Sequence, residues 1–113
     1  SYLKSTKNTD ALLEDLWNFT QQSDYYRGKT TFIITTDHGR GTDPLDSWRS
    51  HGIKIKGSDQ TWIIIFGKGV VPLGEVTREN QLYNHQIAPT VRKLLELPQK
   101  EGEGYGHPIR FNP

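Results

Sequence analysis

Two short runs of β-branched and aromatic residues constrain the fold of this chain more than any other feature. The first run is TTFIITT at residues 30–36, and the second is TWIIIF at residues 61–66, closed by Gly67. Both have an unbroken apolar centre, which is typical of strands covered on both faces, as in parallel sheets. The sequence therefore predicts two central strands.

Helical patterns flank these strands. In residues 10–22 the apolar side chains share one helical face, namely Leu12, Leu13, Leu16, Trp17 and Phe19. Asn8, Thr9 and Asp10 are alternative caps, and an earlier start, even before Ser1, is also open. After residue 86 a second face comprises Ile87, Ala88, Val91, Leu94 and Leu95. Pro89 belongs in the first turn, so the cap is Gln86, Ile87 or Ala88, and the helix should end near Leu97 and Pro98.

The order of elements predicts a single α/β domain over residues 1–113, with helices packed on a mostly parallel sheet. Short edge strands are expected at residues 53–56, where isoleucine and lysine alternate, and around Leu82 and Tyr83. Residues 98–113, rich in glycine and proline, should form an irregular tail over the surface.

Composition excludes several classes of function. Hydrophobic residues make up 33% of the chain, mean hydropathy is -0.71, and no apolar run approaches the roughly 18 residues of a membrane span. The formal charge of +1 is spread along the chain, so neither nucleic acid nor an anionic membrane is an indicated partner. Cysteine is absent, so a metal site would use oxygen and nitrogen ligands. Methionine is also absent, even at position 1, which indicates a processed chain or a piece of a longer one.

The stretch TTDHGRG, residues 35–41, carries the chemistry. Asp37 and His38 follow the first predicted strand, at the sheet edge where α/β proteins bind ligands. Gly39 allows an immediate turn, so that both side chains can converge on one ion such as Zn²⁺, Mn²⁺ or Fe. His51, on the same loop, is a third candidate ligand. The alternative is that Asp37 caps a turn and His38 is an ordinary surface residue.

The segments TTFIITTDHGRG, WRSHG, TWIIIFGKGV and QIAPTVRKLL together resemble the C-terminal part of the alkaline phosphatase superfamily. This superfamily includes phosphatases, phosphodiesterases, sulfatases and cofactor-independent phosphoglycerate mutases. The resemblance covers roughly residues 10–97, and its most specific element is the order strand, DHG, loop, histidine, strand, helix. One departure is Gln86, where the family usually has an aspartate that caps the helix.

The resemblance implies a site with two divalent metal ions, Zn²⁺ or alternatively Mn²⁺. Asp37 and His38 would bind the ion that also holds the nucleophile, and His51 would bind the second ion, with His107 as the rival third ligand. The substrate would be a phosphate or sulfate ester of a small molecule or glycan. Arg40 and Arg49 are candidates for contacting its anionic group, since guanidinium groups match tetrahedral oxyanions.

In this superfamily the nucleophile and the other metal ligands come from an N-terminal portion that the chain does not match. We therefore expect the C-terminal fragment of a metal-dependent hydrolase, inactive alone and able to self-associate through exposed sheet surface. A periplasmic or secreted parent fits the resemblance. The competing hypothesis is a non-catalytic module whose polar loop, residues 39–60, recognises a partner or glycan.

Overall fold

The structure is a computed structural model that describes residues 1–77, 81–102 and 104–112. Both predicted helices and both predicted strands are present. Their bounds, in chain order, are α1 Tyr2–Gln22, β1 Thr31–Thr35, β2 Ile63–Gly67 and α2 Ile87–Leu94. Two short 3-10 helices, Leu45–Arg49 and Asn84–Gln86, precede β2 and α2 respectively.

Helix α1 begins earlier than the three caps considered from the sequence. Ser1 is its N-cap, and the Ser1 hydroxyl accepts a hydrogen bond from the Lys4 backbone N–H at 3.4 Å. The Thr9 hydroxyl instead donates to the carbonyl of Ser5 one turn back, at 3.0 Å. Inside a helix a threonine hydroxyl can bond back to a carbonyl one turn earlier, so a threonine in the sequence does not by itself locate the first turn.

The two strands form an antiparallel pair in which Phe32 faces Phe66 and Ile33 faces Ile65. The expectation of parallel strands is therefore wrong for this pair. An unbroken apolar run indicates burial on both faces but does not set strand direction. The α/β class with a mostly parallel sheet stays a prediction for the wider fold.

Aromatic side chains join α1 to the sheet. The rings of Phe32 and Phe66 stack across the strands with centroids 4.8 Å apart. Trp17 of α1 packs against both, with its ring centroid 6.0 Å from that of Phe32 and 5.7 Å from that of Phe66. This three-ring cluster holds α1 against the two strands.

Helix α2 is anchored by the C-terminal tail. The Thr90 side chain, 1% exposed, donates to the Gln86 carbonyl at 2.6 Å and accepts from the Ile109 backbone N–H at 2.8 Å. Among the described residues, Ile109 is the large hydrophobic residue that is buried, at 4% exposed. The tail forms no helix or strand in its described part, residues 98–102 and 104–112, while residues 103 and 113 lie outside it. It is nevertheless part of the packed structure.

The C-terminal end of α2 lies before the predicted Leu97. Glu96 has a positive φ of 55°, its N–H donates to the Lys93 carbonyl, and the Leu97 N–H donates to the Arg92 carbonyl at 2.9 Å. This pair of bonds is a Schellman motif, which ends a helix without requiring glycine. No glycine is present at that point of the chain to signal the end of the helix.

Two predicted edge strands are wrong. Residues 52–59 form successive turns, in which the Ile55 N–H donates to the Gly52 carbonyl at 2.9 Å and Ile53 is fully exposed. Leu82 and Tyr83 belong to no strand. Alternating polarity arises in exposed turns as readily as at a sheet edge, so the pattern alone did not distinguish them.

None of the helices in the described ranges combines the length and the apolar character needed to span a membrane.

Candidate metal centre

Asp37 and His38 lie together immediately after β1. The Asp37 carboxylate oxygen Oδ1 is 3.6 Å from His38 Nε2, and the same oxygen accepts a hydrogen bond from the His38 backbone N–H at 2.9 Å. Two ligand atoms that share one zinc ion, at bonds of about 2 Å in tetrahedral geometry, are about 3.3 Å apart. The observed separation is compatible with a shared ion, whose presence stays a prediction.

The orientation of the His38 ring suits a ligand. Its Nδ1 is 2.8 Å from the carbonyl oxygen of Gly39, which can only accept, so Nδ1 carries the proton when the ring is neutral. The lone pair then resides on Nε2, the nitrogen that faces Asp37. A backbone carbonyl that fixes the tautomer in this way is the usual outer partner of a metal-binding histidine.

Exposure differs between the two side chains. The Asp37 side chain is 88% exposed, whereas that of His38 is 39% exposed. The carboxylate is therefore reachable from solvent, and the imidazole is held against the loop. As an ion pair between exposed groups, the contact would contribute little to stability and would require a protonated ring.

His51, in the polar loop, lies against the ring of His38. Its ring is parallel to that of His38, with 3.9 Å between centroids and 12° between planes. The backbone brings the two segments together, because the Gly41 N–H donates to the Ser50 carbonyl at 3.1 Å. His107 lies beside the entry to α2, where its carbonyl accepts from the Gln86 side chain at 3.1 Å.

Stacked imidazoles do not point their lone pairs at one another, since each lone pair lies in the plane of its own ring. Within residues 1–77, 81–102 and 104–112, no group of three His, Cys, Asp or Glu side chains has an arrangement that could hold a metal ion. The structure thus places Asp37 beside His38, with the His51 ring stacked on that of His38.

Asn84 supports the turn that carries Asp37. Its side-chain amide donates to the Asp37 carbonyl at 3.1 Å and lies 3.5 Å from the Thr36 carbonyl, while its Oδ1 accepts from the Thr61 hydroxyl at 3.0 Å. One side chain therefore joins the end of β1, the start of the β2 segment and the entry to α2. A polar residue directly before the second helix was the available signal.

Gly39 is required for a different reason from the expected one. It has no positive φ, but a Cβ built on it would collide with the backbone carbonyl oxygens of Gly57 and Gln60. The Gly39 N–H also donates to the Ser58 carbonyl at 2.7 Å. Glycine at this position allows residues 57–60 to pack against the backbone of the DHG turn.

Arg40 and Arg49, the candidate substrate contacts, both lie near the ring of Trp48. The Arg40 guanidinium carbon is 4.8 Å from the ring centroid of Tyr2 and 5.7 Å from that of Trp48. The Arg49 guanidinium carbon is 4.9 Å from the same Trp48 ring. Both cations therefore border a groove between α1 and the first 3-10 helix.

Comparison with known proteins finds matches to two fungal enzymes. The chain is similar to fungal GPI ethanolamine phosphate transferase 1. It is 32% identical to the Neurospora crassa transferase over 89 residues, which is 78% of this chain and 8% of the transferase. It is 29% identical to the Aspergillus oryzae transferase over 86 residues, which is 75% of this chain and 8% of the transferase.

The chain thus spans about 8% of the length of these two relatives. No protein-family model and no solved structure matches it. The similarity supports weak homology to enzymes that, by their name, transfer a phosphate ester group. It agrees at that level with the superfamily resemblance of the DHG segment.

Proposed function

We propose that the chain is part of a metal-dependent enzyme of the alkaline phosphatase-like superfamily that transfers ethanolamine phosphate or a similar phosphate ester group. The observation that carries the proposal is the pairing of Asp37 Oδ1 with His38 Nε2 at 3.6 Å, on a chain homologous to phosphate ester transferases. Because the relatives are named transferases, we propose that the phosphate ester group passes to an alcohol and not to water. The proposed enzyme is therefore a transferase in place of the hydrolase expected from the sequence.

In this proposal Asp37 and His38 hold one divalent cation, with Zn²⁺ preferred and Mn²⁺ as the alternative, because carboxylate and imidazole are ligands that both ions accept. Ions of this kind supply a lowered pKa for an attacking hydroxyl and stabilise charge on phosphoryl oxygens. His38 keeps Nε2 available by using Nδ1 for the Gly39 carbonyl. His51 would contribute to a second ion after its ring turns away from the stack.

The chain's own contribution is positioning. Asn84 and the contact of Gly39 with residues 57–60 fix the backbone of the turn, so that the carboxylate and the imidazole face one point. The candidate site provides one carboxylate, of Asp37, and two imidazoles, of His38 and His51, and we assign the nucleophile to none of these groups.

Nuclear magnetic resonance with Mn²⁺ tests metal binding even when affinity is weak. The paramagnetic ion should broaden the amide signals of residues 37–39 well before those of α2. Asp37→Asn and His38→Gln should abolish this selectivity. Asp46→Asn, which neutralises an exposed acid of the same loop, should preserve it.

Equal broadening in the wild type and in both site variants would remove Asp37 and His38 as ligands. The non-catalytic module, with residues 39–60 as its recognition loop, would then be favoured.

A segment exchange tests the activity itself. Replacing the matched segment of the Neurospora crassa transferase with this chain should retain ethanolamine phosphate transfer, and the same chimera with Asp37→Asn should lose it. The abundance of both chimeras is measured to separate activity from folding. An active Asp37→Asn chimera would contradict the assignment.

A further inference from the structure

A second feature that suits an anion lies beside the candidate metal centre. A groove of about 440 Å³ separates the first turns of α1 from the 3-10 helix at Leu45–Arg49. The side chains that shape it include Tyr2, Thr6, Thr9, Arg40, Trp48 and Arg49. Its volume is within the range of small-ligand sites, which begin at about 300 Å³.

The two guanidinium groups in the groove are held by aromatic faces. Arg40 is bordered by the rings of Tyr2 and Trp48, and Arg49 by Trp48. Such contacts restrict the cations while leaving N–H donors for another partner. Arg40 directs one of these donors at the Trp48 carbonyl, at 3.4 Å. Because the rings already restrict the guanidinium groups, less entropy is lost when they bind an anion.

The charged side chains that line the groove have one sign. No carboxylate lines it, and among the described residues neither Arg40 nor Arg49 takes part in an ion pair. The Thr6 and Thr9 hydroxyls donate to the helix carbonyls of Tyr2 and Ser5, at 3.1 and 3.0 Å. Anion recognition therefore rests on the two guanidinium groups.

The backbone connects this groove to the candidate metal centre. The hydrogen bond from Gly41 to Ser50 joins the segment carrying His38 and Arg40 to the segment carrying Arg49 and His51. Each segment thus carries one histidine of the stacked pair and one arginine of the groove.

We propose that Arg40 and Arg49 form a metal-independent subsite for a phosphate group distinct from the one that reacts. A tetrahedral phosphate oxyanion offers enough acceptor oxygens for two guanidinium groups at once. The inference rests on the proposed function in one respect, namely that this phosphate belongs to a substrate with more than one phosphate group.

The test titrates the chain with inorganic phosphate in the presence of a chelator. Nuclear magnetic resonance follows the arginine Nε–Hε signals, assigned with Arg40→Gln and Arg49→Gln. Both signals should shift on titration. A variant that combines Arg40→Gln with Arg49→Gln, the double variant, should bind phosphate at least about tenfold more weakly than the wild type. A tenfold loss is typical of one charge-assisted hydrogen bond. Lys54→Gln, which removes one positive charge from an exposed position of the same loop, should change the affinity less than about twofold.

Two results would overturn the subsite: Nε–Hε signals that do not move, or a Lys54→Gln variant weakened as much as the double variant, which indicates diffuse attraction. A second arm uses glycerol 1-phosphate as a probe for an ester-borne group. Comparable binding of this ester supports a substrate phosphate, and binding of inorganic phosphate alone contradicts it.

The Mn²⁺ experiment, run in phosphate-free buffer, reports on Asp37 and His38 separately. Loss of the metal centre with retained phosphate binding would refute the proposed function and leave the anion site. The reverse result would refute the subsite alone.

Discussion

The imidazole ring of His51 lies parallel to that of His38, with their centroids 3.9 Å apart. The stack joins the DHG turn to the polar loop and covers one face of the ring whose Nε2 faces Asp37. Stacking and metal ligation make different demands on His51, because a stacked ring needs only its face whereas a ligand needs its nitrogen. Substitutions at position 51 can therefore separate the two roles.

His51→Phe keeps an aromatic face and removes both nitrogens. If His51 binds the second ion, zinc titration by calorimetry should lose its second, weaker binding event, while the event assigned to Asp37 and His38 remains. The second event should weaken at least about tenfold, since even an outer-shell partner contributes that much. An unchanged titration would exclude His51 as a ligand, and His107→Phe would then test the rival.

Asn84→Ala should loosen the turn that carries Asp37. The substitution removes the amide contact to the Asp37 carbonyl and the acceptor for the Thr61 hydroxyl, so we expect a loss of about 1 kcal/mol in unfolding free energy. Urea denaturation measures this loss, and Mn²⁺ broadening at residues 37–39 should also weaken.

Asn112→Ala is the matched control for Asn84. The Asn112 side chain bridges the Gly69 carbonyl and the Val71 N–H, at 2.7 and 3.0 Å, on the loop after β2. Its removal should lower stability similarly and leave Mn²⁺ broadening unchanged. If both variants weakened Mn²⁺ broadening at residues 37–39 equally, Asn84 would act only through global stability.

Gly39→Ala should be strongly destabilising although the backbone at Gly39 suits any residue. The added Cβ meets backbone oxygens of Gly57 and Gln60, which cannot move as a flexible side chain would. We expect a loss of about 1 to 3 kcal/mol in unfolding free energy, measured by urea denaturation.

Gly28→Asn provides the contrast to Gly39→Ala. Gly28 has φ of 68° and no atom within 4 Å of a built Cβ, and asparagine tolerates this left-handed conformation. Gly28→Asn should therefore change the unfolding free energy little. A larger loss at Gly28 than at Gly39 would contradict the argument from close backbone approach.

The sequence predicted the positions of the two strands better than it predicted how they pair. The runs around Phe32 and Phe66 marked both strands, because the β-branched or aromatic shape of a side chain is a local property. Their antiparallel pairing depends on the course of residues 37–60, where the turns bear no periodic pattern. Asp37 and His38 were singled out because an acid and an imidazole follow a predicted strand, and their role as metal ligands stays a prediction. The contact of Asn84 with the Asp37 carbonyl was not predictable, since it connects residues 47 positions apart.

Thr90→Val tests whether the tail is an integral part of the structure. Valine has nearly the same shape, but it leaves the Ile109 backbone N–H, which the Thr90 hydroxyl now satisfies at 2.8 Å, without its acceptor in a buried place. The expected loss in unfolding free energy is about 1 to 3 kcal/mol by urea denaturation. Thr90→Ser keeps the hydroxyl and removes one methyl group, so its loss should be closer to about 0.8 kcal/mol. If serine were the more damaging substitution, packing of the methyl group and not the hydrogen bond would hold Ile109 against α2.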